Sequence, residues 1–350
     1  MKWLWLPRGL MALVWLTSGI ATAQVTEAPA EKPLEGADWE LRVLGVPDDA
    51  ALQSMKALAA RRPVTLAIVG EGGVSQAAVA PLLVQGSTFE YRDGAADPSA
   101  ETHDTGQLRV ILDLAQKLGV QLHVLVYEPP DDYAVVGEAL ARAGQAADIV
   151  VCFHSFWDGD AVTQMAERVR QTSDALYVAP YGEIGEPRTG TSWQAHAAKP
   201  DGSGVPNFVT CIPLARASAG ELLQPSARDD ADTETINFVA PSYYANGPGG
   251  TCPSAATTAA VSAYIVAASA RKPSPAEITQ LLRDTATVDR VALTSVPEFS
   301  EATVDRLGAE IARLLDPARN AGQRKLDAAG VLSLRGIYGR LVEDSAAPLP

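Results

Sequence analysis

The sequence is poor in cysteine, in positive charge and in long apolar runs. Three Cys among 350 residues cannot build the disulfide framework of a small secreted domain, and they allow one bridge at most. The 28 Lys and Arg are outnumbered by 42 Asp and Glu, which gives a net charge of -14 and excludes a basic surface for nucleic-acid phosphates. Apolar residues are plentiful at 47%, so we expect a large buried core rather than a disordered chain.

The amino terminus has the pattern of an export signal. A basic start precedes the apolar run Gly9 to Leu16, and the sequence ATA ending at Ala23 fits a cleavage site. The apolar run is too short to span a bilayer, although an uncleaved anchor is the alternative. We therefore expect a secreted or periplasmic protein without membrane contact after cleavage. The predicted organisation is a signal peptide (1–23), a Pro/Ala/Glu-rich linker (24–37), one domain (38–340) and a tail (341–350).

Apolar, β-branched runs alternate with helical patterns along the rest of the chain. Runs that are apolar at nearly every position indicate strands buried on both faces of a parallel sheet. The alternation predicts an α/β fold with a mostly parallel central sheet and helices on both faces. Ser274, followed by Pro275 and by Glu277 at the third position, predicts a helix start with a capping box. The predicted strands are 64–70, 121–127, 148–153, 175–180 and 207–212, and the predicted helices are 106–118, 134–146, 161–173 and 251–270.

Four segments carry the residues that point to chemistry. We expect all four to deliver residues to the carboxyl edge of the sheet, where α/β folds place their sites. They are the strand and glycine turn PVTLAIVGEGGV (63–74), a polar loop that brings His103 to a helix start (89–106), the strand and turn ALYVAPYGEIG (175–185), and INFVAPSYYANGPGGTCPSAATTAAVSA (236–263).

In this order the segments resemble the subtilisin-like serine peptidases (subtilases). PVTLAIVGEGG is similar to the strand that ends in the catalytic Asp, and HDTG to the start of H-G-T-H-V-A-G. APYGEIG resembles the oxyanion turn A-A-G-N-x-G, and GTCPSAATTAAVSA the nucleophile helix G-T-S-M-A-x-P-H-V-A-G. The resemblance runs from about residue 38 to 335. It implies a subtilisin-like fold and a site for a peptide or protein ligand, with no cofactor and no metal.

The resemblance also identifies departures at the catalytic positions. The Asp position holds Gly70, with Glu71 beside it, while the His position is kept as His103. The Ser position holds Cys252, and the oxyanion Asn position holds Glu183. Loss of the acid that fixes the imidazole tautomer costs about 10⁴ in turnover. Loss of one oxyanion donor costs about 10² to 10³.

The substrate groove departs from the family as well. The family's Gly-rich segment, which pairs with the substrate as a β-strand, corresponds to a stretch in which Pro129 and Pro130 have no N–H to donate. In the S-L-G wall of the family, Ser155 is retained and Trp157 stands at the Gly position. These residues predict a crowded groove.

Three functional hypotheses follow. The first, which we favour from the sequence, is an exported pseudopeptidase with a non-catalytic binding or structural role. The second is an active peptidase or acyl-transfer enzyme that uses a Cys252–His103 dyad, with Glu71 or another carboxylate orienting His103. The third is dinucleotide binding at Gly70–Gly73, which is disfavoured because the third Gly of G-x-G-x-x-G falls on Ser75.

Smaller questions stay open at the level of sequence. Cys152 and Cys211 fall on strands and are interpreted as core residues, with a Cys211–Cys252 bridge as an alternative in an oxidising compartment. The acidic run 229–232 (DDAD) is interpreted as a solvated loop rather than a calcium site, because its spacing matches no EF-hand. The sequence leaves the oligomeric state undetermined.

Overall fold

A computed structural model describes most of the chain after residue 34. Residues Pro33–Pro350 group into one compact unit. The predicted signal peptide and the acidic run 229–232 lie outside the described residues. The described ranges are 35–93, 102–154, 159–170, 174–180, 207–215, 235–236, 238–242, 250–297, 299–315, 325–326 and 330–346.

Helices and parallel strands alternate along the chain, as the sequence predicts. The helices are α1 Ala37–Val43, α2 Asp49–Ala59, α3 Gln76–Val79, α4 His103–Leu118, α5 Tyr133–Ala146, α6 Gly159–Arg170, α7 Thr251–Ala268, α8 Pro275–Thr285, α9 Arg290–Thr294, α10 Glu301–Leu315 and α11 Leu334–Ala346. The strands are β1 Val64–Val69, β2 Thr88–Arg92, β3 Leu122–Tyr127, β4 Ile149–Cys152, β5 Leu176–Val178, β6 Phe208–Val209, β7 Cys211–Ala215, β8 Thr235–Ile236, β9 Phe238–Ser242 and β10 Lys325–Leu326.

The central sheet has the order β2-β3-β1-β4-β5-β6, and every pairing in it is parallel. Two further parallel pairs are formed by β7 with β9 and by β8 with β10. In a parallel sheet the carboxyl ends of all strands meet at one edge. The segments that follow β1, β3 and β4 are therefore brought to the same edge.

Both faces of the central sheet are covered, which explains why its strands are apolar at successive positions. On β1, Leu66 and Ile68 pack into a core shared with α2, α4 and α7. Ala67 and Val69 point to the opposite face and pack with α5 and α6. The alternation follows from the two-residue period of a strand. The predicted fold class, a mostly parallel sheet with helices on both faces, is confirmed.

Helix α7 lies within the core and positions the carboxyl-edge residue Cys252. It carries no charged side chain, and nearly all of its residues are buried. Some of its hydroxyl groups donate within the helix, Thr258 to the Ser254 carbonyl at 2.8 Å and Ser262 to the Thr258 carbonyl at 2.8 Å. Despite this apolar helix, none of the described helices combines the length and hydropathy needed to cross a bilayer.

Three local predictions differ from the structure. The segment 89–106 was expected to be a polar loop, but Thr88–Arg92 forms the edge strand β2, which pairs on one side only and is partly exposed. The predicted strand 207–212 is divided at Thr210, because β6 joins the central sheet and β7 pairs with β9. Helix α11 continues to Ala346, across the boundary that we expected at residue 340.

The capping box at the start of α8 is present and allows a stability prediction. Ser274 Oγ accepts from the Glu277 backbone N–H at 3.3 Å, and Glu277 accepts from the Ser274 backbone N–H at 2.8 Å. Replacing Ser274 with Ala should lower the free energy of unfolding by about 1 kcal/mol, because an N-terminal donor of the helix loses its acceptor. Denaturant titration measures this, with Ser54→Ala in the exposed middle of α2 as the control. An equal loss in both variants would contradict a capping role for Ser274.

Candidate active site

The turn after β1 packs a carboxylate where a side chain at residue 70 would stand. A Cβ atom built on Gly70 would overlap Oδ2 of Asp104 and would lie 2.5 Å from its Cγ. The turn is held at the sheet edge by the Gly70 N–H, which donates to the Tyr127 carbonyl at 3.2 Å. Asp104 belongs to the first turn of α4 and is almost completely buried. The family's Asp position is therefore occupied in space by the carboxyl group of another residue.

Two hydrogen bonds fix the carboxylate of Asp104. Its Oδ2 accepts from the Gly72 backbone N–H at 2.9 Å, and its Oδ1 lies 3.0 Å from Nδ1 of His103. Burying a charged group is costly unless it is paired and hydrogen-bonded, and both oxygens have such partners here. Asp104 thus connects the turn after β1 to the imidazole of His103.

His103 begins α4 and presents its ring at the same edge. Thr102 caps the helix by accepting from the Thr105 N–H at 3.1 Å, which starts α4 three residues earlier than the sequence pattern predicts. The ring packs edge-on against Phe153 with centroids 5.7 Å apart. Its Nε2 lies 3.4 Å from Nε2 of Gln107, one helical turn later. About half of the His103 side chain is exposed, at 51%.

Cys252 stands in the first turn of α7 and is only partly buried. The approach to this helix is fixed by Ser242, whose Oγ donates to the Gly250 carbonyl at 2.6 Å and accepts from the Gly250 N–H at 2.9 Å. The first backbone N–H groups of a helix have no acceptor within it and carry a partial positive charge. Cys252 is therefore placed where a negative charge on sulfur or on a substrate oxygen is stabilised.

His103 and Cys252 come together at this edge, near enough for Cys252 to influence the titration of the imidazole. The hydrogen bond to Asp104 and, after it, the hydrogen bond to Cys252 raise the pKa of His103 to about 10, against the opposing effect of burial. The imidazole therefore holds its proton through the neutral pH range. Because Nδ1 faces Asp104, Nε2 is the nitrogen left to exchange a proton with the thiol or a substrate.

The other two cysteines are core residues, as predicted. All three cysteines are free, so the Cys211–Cys252 bridge is absent from the structure. Cys211 lies on β7 within hydrogen-bond distance of Ser254, at 3.4 Å, and burial raises its pKa to about 11. Burial also raises the pKa of Cys152, on β4. Both thiols are poorly placed to react, in contrast to Cys252.

Glu71 does not contact the imidazole of His103 in the described geometry but faces a second histidine. Its Oε1 lies 3.5 Å from Nδ1 of the buried His154, and Asp131 Oδ1 lies 3.9 Å from the same atom. The Nε2 of His154 is 2.7 Å from the Gly70 carbonyl, which fixes the ring. The three ligand atoms of Glu71, Asp131 and His154 lie within 4.8 Å of one another and could hold a divalent cation.

The groove residues are only partly described. After β3, Pro129 is buried and Pro130 is exposed. The preceding residue, Glu128, packs against Gly73 in the turn after β1. Ser155, Trp157 and the oxyanion position Glu183 lie outside the described residues. The predicted crowding of the groove therefore stays a prediction.

The sequence interpretation missed Asp104 as a member of this site. A signal was available, because the family motif has Gly directly after the His, and here an Asp follows His103 while a Gly stands at the Asp position. A family motif describes each catalytic position within its own segment, whereas this exchange of residue types involves two segments. His154 was also missed, because its place just after the apolar strand β4 does not show whether the histidine is a core residue or a metal ligand.

Comparison with known proteins supports the fold and leaves the chemistry open. No protein-family model and no curated protein matches the sequence. The solved structure of the subtilase cytotoxin SubAB is 14% identical, with a TM-score of 0.55 over 89% of this chain and 98% of that one. A lanthipeptide protease is 12% identical, with a TM-score of 0.50 over 71% of this chain and 87% of that one. A protease from Pseudoalteromonas arctica is 11% identical, with a TM-score of 0.50 over 87% of this chain and 97% of that one. With its parallel sheet covered on both faces and its helix-start His103 and Cys252 at one edge, this chain has a subtilisin-like α/β fold.

Proposed function

We propose that this protein is a subtilase-fold cysteine hydrolase that forms an acyl-enzyme on Cys252 with His103 as its acid and base. The observation that carries the proposal is the hydrogen bond between His103 and the buried Asp104, with Cys252 near enough to influence the imidazole, at the carboxyl edge of the sheet. A nucleophile, a base in contact with it, and a third group that orients the base are the parts that covalent catalysis requires. The substrates we propose are peptide amides or activated acyl groups, since proteases share this fold.

The main argument for the pseudopeptidase hypothesis, the absence of a triad acid, does not hold in this geometry. It rested first on the missing triad acid, a loss that costs about 10⁴ in turnover. A buried carboxylate now stands 3.0 Å from the imidazole. The remaining grounds, the anionic Glu183 and the bulk of Trp157, concern residues that are not described. An inert Cys252 is what the pseudopeptidase hypothesis continues to predict.

The first chemical step would be an attack by the Cys252 sulfur beside a protonated imidazole. The pKa of His103, about 10, keeps the ring cationic at neutral pH. A neighbouring cation and a helix N-terminus both favour the thiolate form of a cysteine. The Cys252 sulfur attacks the substrate carbonyl carbon, a C–S bond forms, and the carbonyl π electrons move to the oxygen. The backbone N–H groups at the start of α7 can stabilise that oxyanion.

Collapse of the oxyanion would release the first product. The C–N or C–O bond breaks as the proton of imidazolium His103 is transferred to the leaving amine or alcohol, which leaves a thioester on Cys252 and a neutral imidazole. A water molecule then gives its proton to His103 as its oxygen attacks the thioester carbon. The C–S bond breaks, and the carboxylic acid leaves with the thiolate–imidazolium pair restored.

The proposal can be tested by the pH dependence of thiol alkylation followed by intact mass and peptide mapping. Cys252 should react with iodoacetamide first, while Cys152 and Cys211 serve as internal controls because they are buried. Near pH 6 the rate at Cys252 should fall by about tenfold or more in His103→Ala, since an ordinary free thiol is almost wholly protonated there. The same protein is then exposed to activated peptide esters, and an acyl adduct should appear on Cys252.

Two outcomes decide between the hypotheses. A mass increase on Cys252 that disappears with time, as product accumulates, supports an enzyme. If Cys252 alkylates no faster than expected for an ordinary exposed thiol, with the same pH profile in His103→Ala and no acyl adduct, the enzyme proposal fails. The pseudopeptidase hypothesis would then be favoured.

A further inference from the structure

We propose that Asp104 is the positioning acid of this site, and that its carboxylate reaches this place because residue 70 is glycine. The inference rests on the proposed function, which supplies the reaction that His103 serves. It goes further by making positions 70 and 104 a coupled pair, in which Gly70 is what admits the carboxylate of Asp104.

The first step of the argument is that the two positions share one space. A Cβ at residue 70 would overlap Oδ2 of Asp104 and would lie 2.5 Å from its Cγ, closer than real Cβ atoms come to another heavy atom. The close atoms belong to a carboxylate fixed at both oxygens rather than to the free end of a long side chain. A side chain at position 70 and the observed carboxylate of Asp104 therefore exclude each other.

The second step is that the carboxylate in this space has the contacts of an orienting acid. One oxygen is anchored by the Gly72 N–H at 2.9 Å, so the other is held toward Nδ1 of His103 at 3.0 Å. An acid on Nδ1 fixes the tautomer and orientation of an imidazole, so that Nε2 faces the nucleophile. With Nδ1 held by Asp104, Nε2 is the ring nitrogen left for Cys252 or a substrate.

The third step compares the position of the acid in the family with its position in this chain. The strand resemblance puts an acid at position 70 and none directly after the His, whereas this chain has Gly70 and Asp104. The family resemblance puts the carboxylate at the end of β1, whereas in this chain it comes from the first turn of α4. The acid is thus retained in space although it is lost at its sequence position.

The test is a two-position mutant cycle made of Asp104→Gly, Gly70→Asp and the double variant Gly70→Asp/Asp104→Gly. The readouts are the pH profile of Cys252 alkylation, the rate of acylation by an activated peptide ester, and the thermal midpoint. Asp104→Gly should lower the acylation rate by up to about 10⁴-fold, because the imidazole loses its orienting acid. Gly70→Asp should also lower it and should reduce the thermal midpoint, because two carboxylates compete for one space.

The double variant gives the decisive result, because each substitution removes the defect of the other. Its acylation rate should exceed that of either single variant by about 10²-fold or more, with the wild-type pH profile restored. A double variant no faster than the slower single variant, although folded, would overturn the inference. So would a folded Asp104→Gly variant with an unchanged rate and pH profile.

A milder pair of variants separates positioning from structure. Asp104→Asn keeps the size of the side chain. Asp148→Asn is its matched control, since the Asp148 carboxylate likewise accepts from a backbone N–H, that of Thr65 in β1 at 2.8 Å. Only Asp104→Asn should change the alkylation pH profile, whereas a structural role predicts equal thermal shifts and unchanged profiles. An unreactive wild-type Cys252 would instead refute the proposed function itself, so the two failures are distinguishable.

Discussion

Replacing Cys252 with alanine is expected to lower the turnover of any acyl substrate by about 10⁴-fold or more, because the atom that bonds to the substrate is removed. His103→Ala should produce a loss of similar size, and the double variant should be little worse than either single one. Residues that act as one unit in catalysis are strongly non-additive. The measurement is kcat on the peptide ester that acylates the wild-type protein most rapidly.

Cys211→Ala is the matched control for this prediction. Cys211 is buried against Ser254 and Thr258 on the core side of α7, and it takes no part in the proposed chemistry. Its replacement should change the stability of the protein while kcat stays within about twofold, since it removes packing and not a reacting group. Turnover that survives in Cys252→Ala, or that is lost equally in Cys211→Ala, would contradict the assigned nucleophile.

Replacing Gly330 with alanine is expected to lower the free energy of unfolding by about 3 kcal/mol, because a methyl group cannot be placed in this packed junction. A Cβ at residue 330 would lie 2.5 to 2.7 Å from backbone atoms of Thr287. That backbone exchanges hydrogen bonds of 2.9 and 3.1 Å with Val331, and the Gly330 carbonyl accepts from the Val239 N–H at 3.1 Å. Relief of the overlap must therefore displace backbone that links β9, the end of α8 and the segment before α11.

Gly339→Ala is the matched control, with the opposite sign expected. Gly339 lies within α11, and a Cβ there would meet nothing within 4 Å. Alanine should raise the free energy of unfolding by about 0.5 to 1 kcal/mol, because glycine is a poor helix former. Denaturant titration of both variants measures the difference. Similar losses in the two would show that the junction at Gly330 is not sterically restricted.

Sequence patterns were sufficient for the sheet and for part of the site. Buried strands such as β1 and β3 are apolar at nearly every position, and that pattern persists whatever the exact strand ends are. The sequence predicts His103 and Cys252 at one edge, and both stand at helix starts there, with Cys252 influencing the imidazole. Thr102 caps the start of α4 with its side chain, and α7 begins directly after Gly250.

The parts that were missed depend on contacts between distant segments. Strand β2 is partly exposed and has one neighbour, so its residues have no strong apolar pattern. The sequence shows Gly70 at the Asp position and offers Glu71 or another carboxylate as the alternative, because a motif describes each position in its own segment. That the carboxylate of Asp104 fills the space above Gly70 is a property of two backbones brought together by folding. No single segment contains that information.

The neighbouring positions of His103 and Asp104 have a mechanical consequence. Because the imidazole and its hydrogen-bonded carboxylate share one helical turn, they move as a unit whenever α4 shifts. Such a shift leaves the distance between the imidazole and the carboxylate unchanged, but it changes the hydrogen bond from the Gly72 N–H to Asp104 and the gap between the imidazole and the Cys252 sulfur. The width of that gap depends on how α4 packs on α7. Buried residues of both helices, such as Leu108 and Ala255, belong to the same core. The reactivity of the cysteine is thus adjustable from the helix–helix interface, at positions that never approach a substrate.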